Sequence, residues 1–429
     1  MEQTASNPST FATPGPLSGY RGIVLTQAWA GTFATMLLGL MGAEIIQVEA
    51  RQRLDSWRGG YYGQVPKGLK DVPTAVTPWN TNPLYNAVNL NKQNVTINLG
   101  HPEGIDLYKR LVPHADFIAE NFSPRVMGNL GLDYASLTKI KQDIILLSMS
   151  AYGASGPYLN VPGIGGTIEP MAGMSALLGY EDGPPINSGQ MYPDPVAGYY
   201  GAAAILLALH HRHRSGDGQW IDLSMQDANM TFIADALMEY SALGRVRPRM
   251  GNRHVSIAPH NTYRCLGDDK WIALAAADDA EFARLAVAAG HDQWIADPRF
   301  ATITARKQHE RALDAVISAW TAEEDALALE SALRAAGVTA GAVRNADEVI
   351  ETDHLWERGI FARVTHPEAG TRVQATAPWR LSRTPGGVTR HAPMLGEHSR
   401  AVFGRFLSMD DDEYERLVAL GITGSGPPD

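Results

Sequence analysis

Residues 20–49 constrain the fold more than any other stretch of this chain. The run Ile23-Val24-Leu25 gives segment 20–26 the look of a buried strand. A short loop follows at 27–31. Residues 32–41 are helix formers throughout, and Gly42 stands where a C-terminal cap belongs. Segment 44–49 (Glu-Ile-Ile-Gln-Val-Glu) reads as a second strand. Strand, helix and strand within about 30 residues make a βαβ unit, whose strands are parallel. The pattern continues with an amphipathic helix at 102–112, a strand at 117–119, a helix at 136–141 and a strand at 144–148. The expected fold is α/β, with a doubly wound, Rossmann-like parallel sheet.

Later segments read differently. Residues 151–193 are mostly loop, with Gly and Pro clustered. A strong helix is expected at 195–214, ended by Ser215-Gly216-Asp217-Gly218, and another at 225–243. After Gly251 come a strand at 270–275, a helix at 280–289 and helical stretches over 304–336, which suggest a smaller α+β domain. Strands at 361–365 and 371–375 and a helix within 410–420 complete the chain. A length of 429 residues suits two to three domains at about 150 residues each. The expected division is a large Rossmann-like domain at 1–224, completed by 394–429, a linker helix at 225–250, the small domain at 251–345 and a return linker at 346–393. Segment 62–83, rich in Pro and Gly, reads as an insertion in the large domain.

Composition limits the function classes. There are 36 Lys+Arg against 46 Asp+Glu, a net charge of −10, which argues against a nucleic-acid binder. One cysteine makes no internal disulfide, and no Cys/His spacing suggests a metal site. Residues 1–16 lack the basic start and apolar run of a secretory signal. The longest apolar run, 196–209, falls short of the ~20 residues that a membrane-spanning helix needs. A cytoplasmic protein without a membrane partner is the expectation.

Asp194, in Tyr192-Pro193-Asp194-Pro195-Val196-Ala197-Gly198, is the residue on which chemistry is most readily built. Pro195 disfavours helical angles at Asp194 and suits a first helical position, which makes Asp194 the expected N-cap. A carboxylate there faces free N–H groups and the positive end of a helix dipole. Taken alone, the segment is either a structural cap or a site of chemistry.

Other stretches bear on this choice. Pro16-Leu17-Ser18-Gly19, Ala30-Gly31-x-Phe33-Ala34 and the run from Leu40 to Glu49 come first. Asn91-Lys92 with Val95-Thr96-x-Asn98-Leu99, Glu120-Asn121-Phe122-x-Pro124 and Gly128-x-Leu130-Gly131 follow. Then come Tyr152-Gly153-x-x-Gly156-Pro157, Asp194-x-x-Ala197-Gly198, Gly216-x-Gly218-Gln219-x-Ile221-Asp222 and Leu395-Gly396-Glu397-His398. In this order and spacing, over about 17–421, the chain resembles the class III CoA-transferases of the formyl-CoA transferase and crotonobetainyl-CoA:carnitine CoA-transferase type.

The resemblance implies a CoA-transferase acting on an acyl-CoA and a carboxylic acid, with no permanently bound cofactor and no metal. Asp194 falls on the catalytic aspartate, which forms an aspartyl–acyl anhydride and then an aspartyl–CoA thioester. Arg51 falls on a position that contacts the CoA phosphates, a task suited to guanidinium. Lys92, Asn121 and Phe122 fall on positions that hold the adenine and pantetheine end. Ala28, Trp29, Asn89, Asn129 and Ser150 join this CoA-binding set, although some members carry basic residues where Asn129 and Ser150 stand here. Gln27, His254, His260 and Asn261 are the implied substrate-side residues, with 251–261 replacing a glycine-rich loop. The resemblance also implies an interlocked homodimer, each chain threaded through the other.

Alternatives remain at this point. A racemase of the same fold family needs a His within 162–165, where Ile164 stands. A nicotinamide-dependent dehydrogenase needs G-x-G-x-x-G, which 27–31 lacks. A non-catalytic CoA-binding relative is the third reading. His210, His211, His213 and Arg214 suit a helix C-terminus, and Cys265 a buried strand. Trp57, Tyr61, Tyr62, Trp79 and Tyr85 either wall an acyl pocket or pin a loop. Arg58, in Asp55-x-x-Arg58, lies in the segment that follows Arg51.

Overall fold

The computed structural model describes residues 15–60 and 77–428; Tyr61, Tyr62 and most of the N-terminal tail lie outside them. Strand β1 (Arg21–Leu25), helix α1 (Ala30–Leu40) and strand β2 (Glu44–Glu49) form the βαβ unit that opens the chain. Strand β3 (Lys92–Thr96) follows, then α2 (Pro102–Leu111), β4 (Phe117–Glu120), α3 (Arg125–Asn129) and β5 (Ile145–Ser150). Next come α4 (Gly165–Met171), α5 (Pro193–Ser215), β6 (Trp220–Ser224) and α6 (Ala234–Leu243). The six strands lie in the order β3-β2-β1-β4-β5-β6, and every pairing is parallel. This is the doubly wound order, in which the crevice beyond the carboxyl ends of β1 and β4 is the place for a ligand.

Both faces of the sheet are covered. Ile23, Leu25, Ile46, Val48, Ile118 and Leu146 point into one cluster with α2 and the C-terminal helices. Val24, Ile45, Ala119, Ile145 and Leu147 point into another with α1 and α5. The period-2 alternation splits each strand between two cores, which is why these strands read as continuous apolar runs. Gly198 and Gly201 allow the second core to close. A Cβ on Gly198 would stand 2.7 Å from Phe33 Cδ1, and one on Gly201 2.6 Å from Met149 Cε.

Contacts divide the chain into two compact units: Met1–Met174, Asn187–Met238 and His354–Asp429 form one, and Ser175–Ile186 with Glu239–Asp353 the other. The second has an antiparallel sheet of β7 (His260–Arg264), β8 (Trp271–Ala275) and β9 (Thr339–Ala342), in that order. Helices α7 (Asp279–Ala288), α8 (Glu310–Thr321) and α9 (Ala326–Ala335) pack against it around Phe282, Leu285, Leu313, Ile317 and Leu333. Cys265 is buried in this core. The chain then returns to the first unit through the antiparallel pair β10 (Phe361–His366) and β11 (Gly370–Ala375) and helix α10 (Ser399–Leu407).

Three details differ from the sequence reading. Helix α5 begins at Pro193, with Tyr192 already in helical angles at its cap position, so Asp194 lies in the first turn rather than at the N-cap. Pro193 has its φ set for a helix start, and the chain turns helical one step sooner than Pro195 alone suggests. The expected helix 225–243 is interrupted: α6 follows a helix at Met225–Met230 and a 3-10 turn at Thr231–Ile233. His260 and Asn261, read as loop, begin β7.

Candidate active site

The loops after four parallel strands converge on one cleft of about 290 Å³. Ala28 and Ala30 come from the β1–α1 loop, Ser56 and Trp57 from beyond β2, Asn121 and Phe122 from beyond β4, and Ser150 and Tyr152 from β5 and its loop. Ile164, Gly165, Met191 and Asp194 close it on the side of α4 and α5.

Asp194 has an electrostatic setting that its sequence position does not reveal. Helix α1 has no side-chain N-cap, so its first N–H groups are unclaimed within the helix. The Asp194 carboxylate is favoured as an anion by the backbone N–H of Ala30, the first residue of α1, and by its own. It therefore stands at the positive ends of two helices, α1 and α5. Burial opposes these donors and prevails, raising its pKa from 3.8 to about 6. Oδ2 is buried and has no hydrogen-bond partner among the described residues. Gly165 lies directly against it: a Cβ there would stand 2.1 Å from Oδ2.

The β1–α1 loop is held at several points. The Asn121 side chain accepts from the Gln27 N–H (2.8 Å) and donates to the Gln27 carbonyl (2.9 Å). Ala28 has φ 56°, left-handed for a residue with a Cβ. Its N–H donates to both oxygens of Asp55, at 3.0 Å each, and Asp55 also accepts from the Trp57 N–H at 2.8 Å. The rings of Trp29 and Trp57 lie 5.4 Å apart. Glu120 is buried and accepts from the Phe122 N–H at 2.8 Å, and burial raises its carboxyl to about 7. The sequence assigns no role to Asp55 or to Glu120, although Glu120 stands in the motif Glu120-Asn121-Phe122-x-Pro124. Each precedes a cleft residue by two positions, but nothing in composition or periodicity marks it.

The residues named from the sequence therefore separate into groups. Ala28, Asn121, Phe122, Ser150 and Asp194 line the cleft, with Gln27 and Trp29 in its supporting loop. Ser150 Oγ is buried without a hydrogen-bond partner among the described residues. Lys92 is fully buried, and its Nζ donates to the Thr32 carbonyl, Asn89 Oδ1 and Gln47 Oε1. Burial lowers its pKa to about 7. Asn89, equally buried, also donates to the Tyr85 carbonyl. Neither of these two lines the cleft. The Arg51 guanidinium donates to the carbonyls of Gly426, Thr423 and Pro427 at 2.6–2.7 Å. Asn129 is exposed at the end of α3.

His254, His260 and Asn261 belong to the second compact unit. There the two histidine rings lie 5.4 Å apart, and Asn261 lines a separate surface groove. Of the aromatic cluster, Trp57 faces the cleft, whereas Trp79 and Tyr85 are buried. Arg58 is also buried. Its guanidinium is bidentate on Glu49 (2.9 Å each), stacks over Tyr85 at 3.6 Å and donates to the Pro393 carbonyl.

Among the described residues no group of three or more His, Cys, Asp or Glu is placed to hold a metal ion, and no helix is long and apolar enough to cross a membrane.

Comparison with known proteins identifies the family. The succinyl-CoA–D-citramalate CoA-transferase of Chloroflexus aurantiacus is 36% identical over 96% of this chain and 99% of its own. The succinate–glutarate CoA-transferase of Agrobacterium fabrum is 32% identical over 92% of this chain and 96% of its own. A crystal structure of a CAIB/BAIF family protein from Brucella suis superposes with a TM-score of 0.83 at 30% identity, covering 92% of this chain and all of that one. Residues 17–399 match the CoA-transferase family III as a whole, and the chain belongs to that family.

Proposed function

We propose that Asp194 is the nucleophile of a CoA transfer between two carboxylic acids, that the donor is succinyl-CoA and that the acceptor is a short dicarboxylic acid. The observation that carries this reading is the Asp194 carboxylate itself. It is set in a cleft at the switch point of the sheet, with one oxygen unpartnered and a pKa raised to about 6. At neutral pH such a group is largely ionised, yet more basic than an ordinary carboxylate, and both properties favour nucleophilic attack.

The chemistry balances as two exchanges. An Asp194 oxygen attacks the thioester carbonyl, the C–S bond breaks, and CoA leaves as thiolate from an aspartyl–acyl anhydride. The thiolate attacks the aspartyl carbonyl and releases the donor acid, leaving an aspartyl–CoA thioester. The acceptor carboxylate then attacks that thioester carbon and expels the thiolate, and the thiolate takes the acceptor's acyl group. Asp194 is regenerated with no net gain or loss of protons. The N–H groups of α1 compensate its charge when it is free, and apolar walls such as Ile164, Met191 and Phe122 limit water.

The names of the relatives support the substrate class, since both enzymes cited above act on dicarboxylic acids. No Lys, Arg or His lines the cleft among the described residues. Ser56, Ser123, Tyr158 and the unpartnered Ser150 hydroxyl are the donors available there to a carboxylate or hydroxyl of the acid. The test is a matrix of CoA donors and acids followed by chromatography of the CoA thioesters. Transfer from succinyl-CoA to citramalate or glutarate should exceed transfer to monocarboxylic acids by at least tenfold. A preference for monocarboxylic or aromatic acids would overturn the substrate assignment.

We also infer that the enzyme is an interlocked homodimer. Helix α6 has no buried residue and exposes Leu237, Met238, Tyr240 and Leu243, while Tyr199 and Leu207 stand exposed on α5. Apolar surface of this kind calls for a cover, and a second copy of the chain supplies one. Sedimentation at micromolar concentration should give twice the chain mass; a monomer would contradict the inference.

A further inference from the structure

We propose that Asp55 is a positioning residue for the transfer reaction: its carboxylate holds the β1–α1 loop in the shape that sets the Ala30 N–H against Asp194. The proposal rests on Asp194 being the nucleophile.

The geometry is specific. Asp55 is 1% exposed and spends its carboxylate on backbone N–H groups from two walls of the cleft. Both oxygens receive the Ala28 N–H, and Oδ1 also receives that of Trp57. Ala28 is one of five non-glycine residues at positive φ among the described residues, a conformation that is strained for a residue with a Cβ. Such a conformation persists only where the surroundings enforce it. Asp55 is the side chain that grips the strained N–H. Asn121 grips Gln27 on one side, and the Thr32 hydroxyl donates to the Trp29 carbonyl at 2.8 Å on the other. Two residues beyond Ala28 comes Ala30, whose N–H favours the Asp194 anion.

The charged setting fits the role. Glu49 on β2, Arg58, Lys92 on β3 and Tyr85 face Asp55. Arg58 is committed to Glu49, and Lys92 to three protein oxygens. No side chain takes Asp55 into an ion pair within 4 Å among the described residues, so its acceptor capacity goes to the two backbone N–H groups.

The test uses Asp55→Asn in the full-length enzyme, with steady-state kinetics and amide hydrogen exchange over 24–33. With its oxygen in the place of Oδ1, the amide sets an NH2 against the Ala28 N–H where Oδ2 accepted it, and the grip loosens. We expect kcat to fall about 10–100-fold, with KM for the acyl-CoA changing less than about threefold, and faster exchange at Ala28 and Ala30. Adding Ala28→Gly to Asp55→Asn should recover part of kcat, because glycine adopts φ 56° without enforcement. Should Asp55→Asn not fold, Ala28→Val disturbs the same loop with Asp55 intact, and the same kcat loss is expected. A kcat within twofold of wild type, or unchanged exchange over 24–33, would overturn the proposal. Failure of the nucleophile assignment would appear separately, as transfer that survives Asp194→Asn.

Discussion

Asp194→Asn is expected to abolish transfer and at the same time to stabilise the fold. The loss of activity follows from removing the proposed nucleophile of both covalent steps. A fall in kcat of about 10⁴-fold or more is expected, because no neighbouring side chain can replace it. The stability gain follows from the sign of the pKa shift. Asp194 is raised from 3.8 to about 6 in the folded protein, so the folded state binds its proton more readily than the unfolded chain does. Its charge therefore opposes folding above pH 6, and this penalty disappears below about pH 4. Relieving it should contribute about 1–3 kcal/mol at pH 8 and little at pH 4, measured by urea melts at the two pH values. The same ionisation should shape activity: kcat/KM of the wild type should fall as pH drops below about 6, approaching tenfold per pH unit. Equal stability of mutant and wild type at pH 8 would mean that burial does not penalise this carboxylate.

Arg58→Met should be the most damaging substitution to the fold. Arg58 and Glu49 form an ion pair with side chains 0% and 2% exposed. Glu49 accepts further hydrogen bonds from Tyr85 (2.7 Å) and Asn94 (2.6 Å). The Arg58 guanidinium also reaches Asn80 Oδ1 and the carbonyls of Trp79 and Pro393. Replacing the pair together can be neutral, but removing the cation alone leaves a buried carboxylate uncompensated, at about 3–5 kcal/mol. Arg58→Lys should not restore stability, since one ammonium cannot reproduce the fork. Denaturant midpoints measure this directly; a loss below about 1 kcal/mol would show that water or rearrangement compensates Glu49.

The sheet was legible where strands carry apolar residues on both faces, as at Ile23-Val24-Leu25 and the β5 segment. Strand β3 was not read as a strand, because it opens Lys-Gln-Asn. Lys92 and Asn94 are nonetheless fully buried, satisfied by Asn89, Gln47, Thr32 and Glu49 rather than by apolar neighbours. Periodicity cannot show polar burial of that kind. Asp194 was legible through its two prolines and the order of the surrounding motifs. Its placement at the start of α1 was not, because Ala30 is 164 positions away and only the packing of α5 on α1 brings them together. Gly198 likewise takes its meaning from that packing, since α1 approaches it through Phe33. Asp55 carries no sequence signal for a related reason: a carboxylate that holds backbone N–H groups leaves no pattern in the sequence.

The most direct test of the central claim is peptide mass spectrometry of the enzyme quenched during turnover with succinyl-CoA, with Asp194→Ala treated in parallel. The account predicts that the wild-type peptide containing Asp194 carries either the succinyl group or CoA less water, and that the mutant carries neither. Sustained transfer by Asp194→Ala, or an adduct confined to another residue, would contradict it.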